Sequence, residues 1–439
     1  MSASASAHAP TWTYLFRHGT GFESAGAGAE ELLDGAPRVG DRRVRIHSHP
    51  APADLSGLDR YHGLVLFGPR RVRSRDLHSA GFVFVRRYGM FPSIAQPRWV
   101  IPLDPSFVAL AALRALATPY RLRGRLLAAG AALVVRAGVP LGAREVLVAS
   151  RERPPLEVEL ARLVDGTAGP IAFASGGWGL RHTPTLVALS TEGTPLAFAK
   201  LAGSERSRML IEREAHLLEA IAARPALCGL APTLIHAGPL DGVYANVQTP
   251  LRGRPAPTRL GAAHDRFLGK LEGEPRDAAG SAMLGSIRER LPLAGHDAGW
   301  LGRIVDAAHS ALAGVRLPRT LVHGDFAPFN LRLDAGSLAG FDWENGTLDG
   351  LPLIDALHHE LQVGFLLKDW DVGRAVRSLD RFTAERTRAG LSGAQVRALQ
   401  AVYLLDMYLR RVEGGHGPGS ALTSRYAALL RHVSAGAGA

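Results

Sequence analysis

Residues 321–344, LVHGDFAPFNLRLDAGSLAGFDWE, decide how the rest of this 439-residue chain is read. A short apolar run ends in His323-Gly324-Asp325, Asn330 follows five positions after the aspartate, and a second apolar run, 338–341, delivers Asp342 and Glu344. The local pattern is strand, polar loop, strand, polar exit. A hairpin of the two short strands would gather the side chains of Asp325, Asn330 and Asp342 at one end, although they span eighteen positions. Phosphoryl transfer needs a carboxylate beside the acceptor hydroxyl, and oxygen ligands for magnesium ions that neutralise the phosphate oxygens. Asp325 supplies the first, and Asn330 with Asp342 the second.

On HGD, Asn330 and Asp342-Trp343-Glu344 the chain resembles the aminoglycoside phosphotransferase and choline kinase family, relatives of the protein kinases. The resemblance spans roughly residues 155–439, and GLPLIDALHH, with Asp355 opening a helix, continues it. It implies a two-lobed α+β fold of the protein-kinase type, with a small antiparallel β lobe and a larger helical one. It also implies ATP and Mg2+ as cofactors, Asp325 as the catalytic base, Asn330 and Asp342 as metal ligands, and a structural role for Asp355.

Composition sets outer limits. A chain of this length holds two or three domains with substantial cores. Hydrophobic residues make up 46% of it and the mean hydropathy is near zero, the balance of a soluble globular protein. Its only cysteine, Cys228, excludes a disulfide framework and a thiolate metal site, fits a reducing compartment, and is expected in the core because it sits in the apolar run ALCGLAP. MSASASAHAP has neither the basic nor the apolar region of a secretory signal, and the most lipid-like run, 126–135, is too short to span a bilayer. A cytoplasmic location is the expectation.

Of the net charge of +11, the first 150 residues carry +9, from nineteen arginines against ten acids. The basic character therefore belongs to the first region, which could attract an anionic membrane surface or a protein partner. No nucleic-acid signature of interleaved aromatics accompanies it. The chain has only three lysines, Lys200, Lys270 and Lys368, and Lys200 ends the apolar run PLAFAK, where a buried ammonium needs an anionic partner. Such a compact point charge can bind nucleotide phosphates. Asparagine is equally rare, at 246, 330 and 345.

In chain order, strand-like runs fall at 11–16, 64–67, 81–85 and 99–103, followed by helical runs at 106–117 and 122–137. These make an α+β accessory domain, 1–150, whose His47 and His49 lack the carboxylate or cysteine companions of a metal site. RERPP at 151–155 marks a joint. Beyond it, Ser175-Gly176-Gly177 forms a turn between strands at 171–174 and 186–189, where backbone N–H groups could meet phosphates. It departs from GxGxxG.

The run SERSRMLIEREAHLLEAIAA has helical period, placing Glu214 on the apolar stripe with Leu210, Leu217, Leu218 and Ile221, and Glu214 is therefore the acid assigned to Lys200. A last strand at 242–249 closes a small nucleotide-binding lobe, 155–250. Helical patterns at 301–315, 353–367, 371–389 and 394–412 dominate a large catalytic and substrate lobe, 251–439, in which at least one of His358 and His359 is expected to face the core, in a packing role. The function expected is ATP-dependent transfer of a phosphoryl group to a hydroxyl of a small molecule, such as a sugar, glycan intermediate or aminoglycoside-like compound. The alternative is a silent kinase-fold scaffold docking through its basic first domain.

Overall fold

The computed structural model describes residues 21–25, 43–47, 61–68, 72–92, 97–139, 141, 144–166, 168–174, 183–388 and 390–435. The strand expected at 11–16 lies outside them, as does His49. The chain divides into two compact units: residues up to Ile211 with Leu234–Pro250, and Glu212–Thr233 with Leu251–Ala439.

The first unit is built on one sheet of eleven strands: β1 Gly21–Ala25, β2 Arg43–His47, β3 Gly63–Phe67, β4 Phe84–Phe91, β5 Trp99–Pro102, β6 Glu145–Ser150, β7 Ala168–Ala174, β8 Thr185–Ser190, β9 Pro195–Leu201, β10 Leu234–Leu240 and β11 Val243–Gln248. Their spatial order is β1-β2-β3-β6-β4-β5-β7-β8-β9-β11-β10, parallel from β1 to β3 and antiparallel thereafter. The joint expected at 151–155 lies inside this unit, and the sheet runs on past it because β5 pairs with β7. Both faces of the sheet are covered, as the period-2 alternation of its strands requires. Ile171, Phe173, Leu186 and Ala188 enter one core with helix α4, Pro155–Leu163, while Ala172, Val187 and Leu189 enter another with helices α2, Ser106–Leu116, and α3, Leu122–Arg136. A short helix, α1 Ser74–Ser79, precedes β4, so residues 81–83 of the strand expected at 81–85 are its exit turn. The phenylalanine and glycine at 81–82 mimic a strand start locally; Phe82 instead packs beside Leu77 in a small third core.

The second unit is mainly helical. Helices α6 Ala262–Leu271, α7 Ala282–Arg290, α8 Ala298–Leu312, α9 Ile354–Gln362, α10 Val372–Arg388 and α12 Ala421–Ala435 accompany α11, Gly393–Glu413. The last is the hub, packing against α7, α8, α9, α10 and α12. It starts on a reciprocal cap between Ser392 and Gln395 and is buried almost continuously from Val396 to Leu409. Helix α5, Glu205–Ala222, begins in the first unit and ends in the second.

Two small sheets hold the 321–344 stretch, and they correct the expected hairpin. β14, Arg316–Val322, pairs with β13, Glu272–Asp277, and β17, Thr347–Gly350. The hairpin is made instead by β15, Leu331–Asp334, and β16, Ser337–Gly340, with β12, Arg254–Pro255, on its edge. A strand thus begins right after Asn330, inside what reads as loop, because the Ala335-Gly336 turn, at φ +46° and +83°, folds it directly onto β16. A second correction concerns Cys228, which is exposed where it ends the 3-10 turn Pro225–Leu227, since its neighbours Leu227 and Leu230 take the inward positions.

Candidate active site

β14 ends at Val322 and releases His323-Gly324-Asp325 into a loop whose backbone is pinned from below. Asp355, at the start of α9, accepts the N–H groups of His323 at 2.8 Å and Gly324 at 2.9 Å. Burial pushes its carboxyl above the ordinary range, and the neighbouring histidine and these two donors offset part of that rise. Gly324 has φ +79°, and a Cβ there would lie 2.1 Å from the Asn345 carbonyl oxygen, so only glycine fits.

From the opposite side Arg410, on α11, donates to the carbonyl oxygens of Gly324 at 2.7 Å and Asn345 at 3.2 Å. It therefore clasps the loop that carries Asp325 to the loop that follows Asp342. Asp406 holds the guanidinium at 2.5 Å and is itself met by Arg290 at 2.6 Å. Burial would raise the Asp406 carboxyl, but these two guanidinium groups hold it below its ordinary range.

Asp325 is the polar centre of the site. One carboxylate oxygen meets His358 Nε2 at 2.8 Å and the other accepts from Asn330 Nδ2 at 2.9 Å, while Nδ2 also donates to the Asp325 carbonyl at 3.0 Å. The Asp325 side chain is 33% exposed, whereas Asp355 is buried. Burial acts to raise its pKa; the hydrogen bond and charge of His358, with His323 and Arg410 behind them, outweigh that and hold it below the ordinary range. Asp325 is thus ionised, oriented and accessible, as a base that accepts a hydroxyl proton must be.

His323 supports the loop from within. Its Nδ1 accepts the Asp325 N–H at 3.3 Å, which assigns the ring proton to Nε2. The ring lies against Trp343 at 4.4 Å between centroids and against Gly340, where a Cβ would come within 2.9 Å of it. Burial keeps the imidazole below its ordinary pKa, hence neutral. Phe326 stacks on Phe267 at 5.2 Å, completing an apolar floor with the buried His264 and His359.

Asp342 sits in the left-handed region at φ +66°, a conformation that short polar side chains tolerate best, and this kink ends the run from β16. The next N–H, that of Trp343, donates to Glu214 at 3.1 Å. Glu214 is fully buried on α5, as its helical period predicts. Lys200 lies in the first unit, 8% exposed on β9 between Thr185 of β8 and Asn246 of β11. Ser175, Gly176 and Gly177 lie outside the described residues.

The oxygen donors suit magnesium better than a transition metal. Asn330 gives its amide hydrogens to Asp325, which leaves its carbonyl oxygen to serve a cation. Among the described residues no group of three or more His, Cys, Asp or Glu is arranged to hold a metal. One carboxylate and one amide oxygen are a sparse set, of the kind magnesium completes with water and substrate phosphates.

Two functional residues escaped the sequence reading. His358, expected only to pack, meets Asp325, and Arg410 had no assigned role. Signals for both existed: His358 stands one turn after Asp355, and Asp406 interrupts the apolar run AVYLLDMYL four residues before Arg410.

No protein-family model matches the chain, and no curated protein matches it. Among solved structures it is similar to a choline/ethanolamine kinase family protein from Mesorhizobium loti, with 20% identity over 64% of this chain and 92% of that one and a TM-score of 0.39. It is also similar to a thermostable mutant of aminoglycoside phosphotransferase APH(4)-Ia in a ternary complex with AMP-PNP and hygromycin B, at 16% identity over 64% and 99% and a TM-score of 0.41. A third is an ethanolamine kinase from Plasmodium vivax, at 11% identity over 62% and 85% and a TM-score of 0.41.

Proposed function

We propose that the protein is an ATP-dependent phosphotransferase that moves the γ-phosphoryl group to a hydroxyl of a small molecule. Asp325 positions the acceptor hydroxyl and takes its proton. Asn330 and Asp342 would hold magnesium, which when bound neutralises charge on the phosphates. Lys200, steadied by Glu214, would neutralise nucleotide phosphates, with the 175–177 turn contributing backbone donors. In this reading residues 155–250 bind the nucleotide, 251–439 carry the base and the acceptor site, and 1–150 are an accessory region. Sugars, glycan intermediates, amino alcohols and aminoglycosides are the acceptor classes, and an ATP-using reaction suits the cytoplasm.

One observation carries the reading. The Asp325 carboxylate is in direct hydrogen bond with Asn330, open on one side, and fixed through its loop by Asp355 and Arg410. A solvated surface aspartate needs none of this; a base that must be aimed before substrate arrives needs all of it. ATP turnover measured across a panel of hydroxyl-bearing metabolites tests the reading. Asp325→Asn should abolish transfer while leaving nucleotide affinity largely intact, and near-normal turnover in that variant would remove Asp325 from the role.

A further inference from the structure

The hairpin of helices α2 and α3 carries an exposed apolar face that no described residue covers. Helix α3, LRGRLLAAGAALVVR, packs on α2 and buries Ala131 and Val135 in their common core, with Gly124 and Ala128 on the same side. On the opposite side Leu122, Leu126 and Leu133 are 72%, 64% and 68% exposed. Their spacing of four and seven residues keeps them on one stripe, which Ala129, Gly130 and Ala137 fill in, all exposed. With Phe107, Leu127 and Val139, this short segment holds six of the eleven large hydrophobic side chains exposed among the described residues. Single exposed leucines need no explanation; a concentration of this kind marks an interaction surface.

Charge decides what it meets. Between Asp104 and Glu145 there are six arginines and no acidic residue: Arg114, Arg121, Arg123, Arg125, Arg136 and Arg144. Three of them crowd the N-terminal end of α3, whose first turn has no acid and no side-chain cap. Cations there oppose the positive end of the helix dipole, a small penalty within the fold. An external sheet of negative charge reverses that penalty. A helix whose exposed leucines are flanked by arginines, with no acid between, fits an anionic lipid surface, where the leucines enter the acyl boundary and the arginines meet phosphates. A protein interface would favour aromatic anchors, and the stripe on α3 has none.

We propose that α3 docks the protein on an anionic membrane surface, lying in the plane of the interface. It does not cross: its fifteen residues reach about 22 Å, short of the roughly 30 Å hydrocarbon core. No helix among the described residues is long and apolar enough to span a membrane.

The test is co-sedimentation of the full chain with phosphatidylcholine vesicles made with and without phosphatidylserine. The parent should partition onto the phosphatidylserine vesicles only, and less as salt rises. Leu126→Glu with Leu133→Glu, both at exposed positions, should lower the partition coefficient about tenfold or more with thermal unfolding unchanged. Arg123→Glu with Arg125→Glu should lower it by a similar factor, since each arginine near such a surface is worth about fivefold. Absence of binding by the parent, or equal binding by the variants, overturns the proposal. So does sedimentation velocity that reveals a dimer which Leu126→Glu returns to monomer, since the face would then be a self-association surface.

Discussion

Both units bury carboxylates, and they use them differently. In the first, Glu157 of α4 is fully buried against Arg86 of β4, with Arg153 at 3.5 Å. Arg153 also donates to the Ala168 carbonyl at the start of β7. The network joins a helix to its sheet and ends there. In the second, Asp406 meets Arg290 and Arg410, and Arg410 passes the fixed position on to two loop carbonyls beside Asp325 and Asp342. Asp355 and Glu214 likewise spend their oxygens on backbone N–H groups next to those aspartates. The pKa directions follow: burial wins at Glu157 and raises it, whereas two guanidinium groups win at Asp406 and lower it. Buried charge in one unit holds elements together, and in the other it aims a site.

That contrast is best broken with a pair of arginines. Arg410→Leu should cost about 3–5 kcal/mol, because it leaves a buried carboxylate short of a partner and two loop carbonyls without a donor. Turnover of ATP per folded molecule should collapse with it. Arg86→Leu should cost a comparable amount of stability and leave turnover per folded molecule unchanged. Urea unfolding and steady-state assays on both variants decide the matter: equal losses of turnover would erase the distinction.

Gly324→Ala comes next. Its Cβ would meet the Asn345 backbone in a left-handed conformation, so a loss of about 2–4 kcal/mol and of activity is expected. The same substitution at Gly138, also at positive φ but with open space around it, should cost about 1 kcal/mol or less. Differential scanning calorimetry would separate the two.

A smaller effect should come from His358. With His358→Leu the carboxylate of Asp325 loses the donor that opposes burial, so its pKa rises and the acidic limb of the pH–rate profile moves to higher pH. A fall in kcat of about ten- to a hundredfold should accompany the shift. His358→Gln, which retains an N–H donor, should recover part of both. An unmoved limb in the leucine variant would reduce His358 to a packing residue.

The remaining pair concerns the pH dependence of stability, with opposite signs in the two units. Burial lowers His359 from 6.5 to about 3, so its contribution is fully present above 6.5 and is lost as pH falls toward about 3. His359→Phe should flatten that acid loss. Glu157 is raised above 4.5, so the folded protein holds its proton longer and the group's contribution declines as pH rises through the window above 4.5. Glu157→Gln should remove that decline. Unfolding free energies followed from acid to neutral pH check both signs.

Local chemistry was legible without coordinates wherever the information lies within a few residues. His323 to Asp325, Asn330 and Asp342 declare themselves by type and spacing, and the structure places Asn330 against Asp325. Helical period put Glu214 on the buried side of α5, because a side chain's direction follows from its own backbone, and short apolar runs bounded by turn residues marked β7, β8 and β9. Lys200, one of only three lysines in the chain, was conspicuous by its rarity at the end of an apolar strand.

Partners distant in sequence were not legible. Pairing of β14 with β13 and β17, in place of a hairpin with β16, is decided by which strand edges meet after the helices pack. Cys228 reads as core from its neighbours, yet at the end of a 3-10 turn it points outward while Leu227 and Leu230 take the inward places. His358 finds Asp325 across 33 positions, and Arg410 finds Gly324 across 86. The sequence by itself determined the chemistry on offer, since composition and short-range spacing choose the reactive groups. Only the tertiary structure decided which buried charges aim them, because desolvation and hydrogen bonding at those distances exist only once the α11 hub has packed.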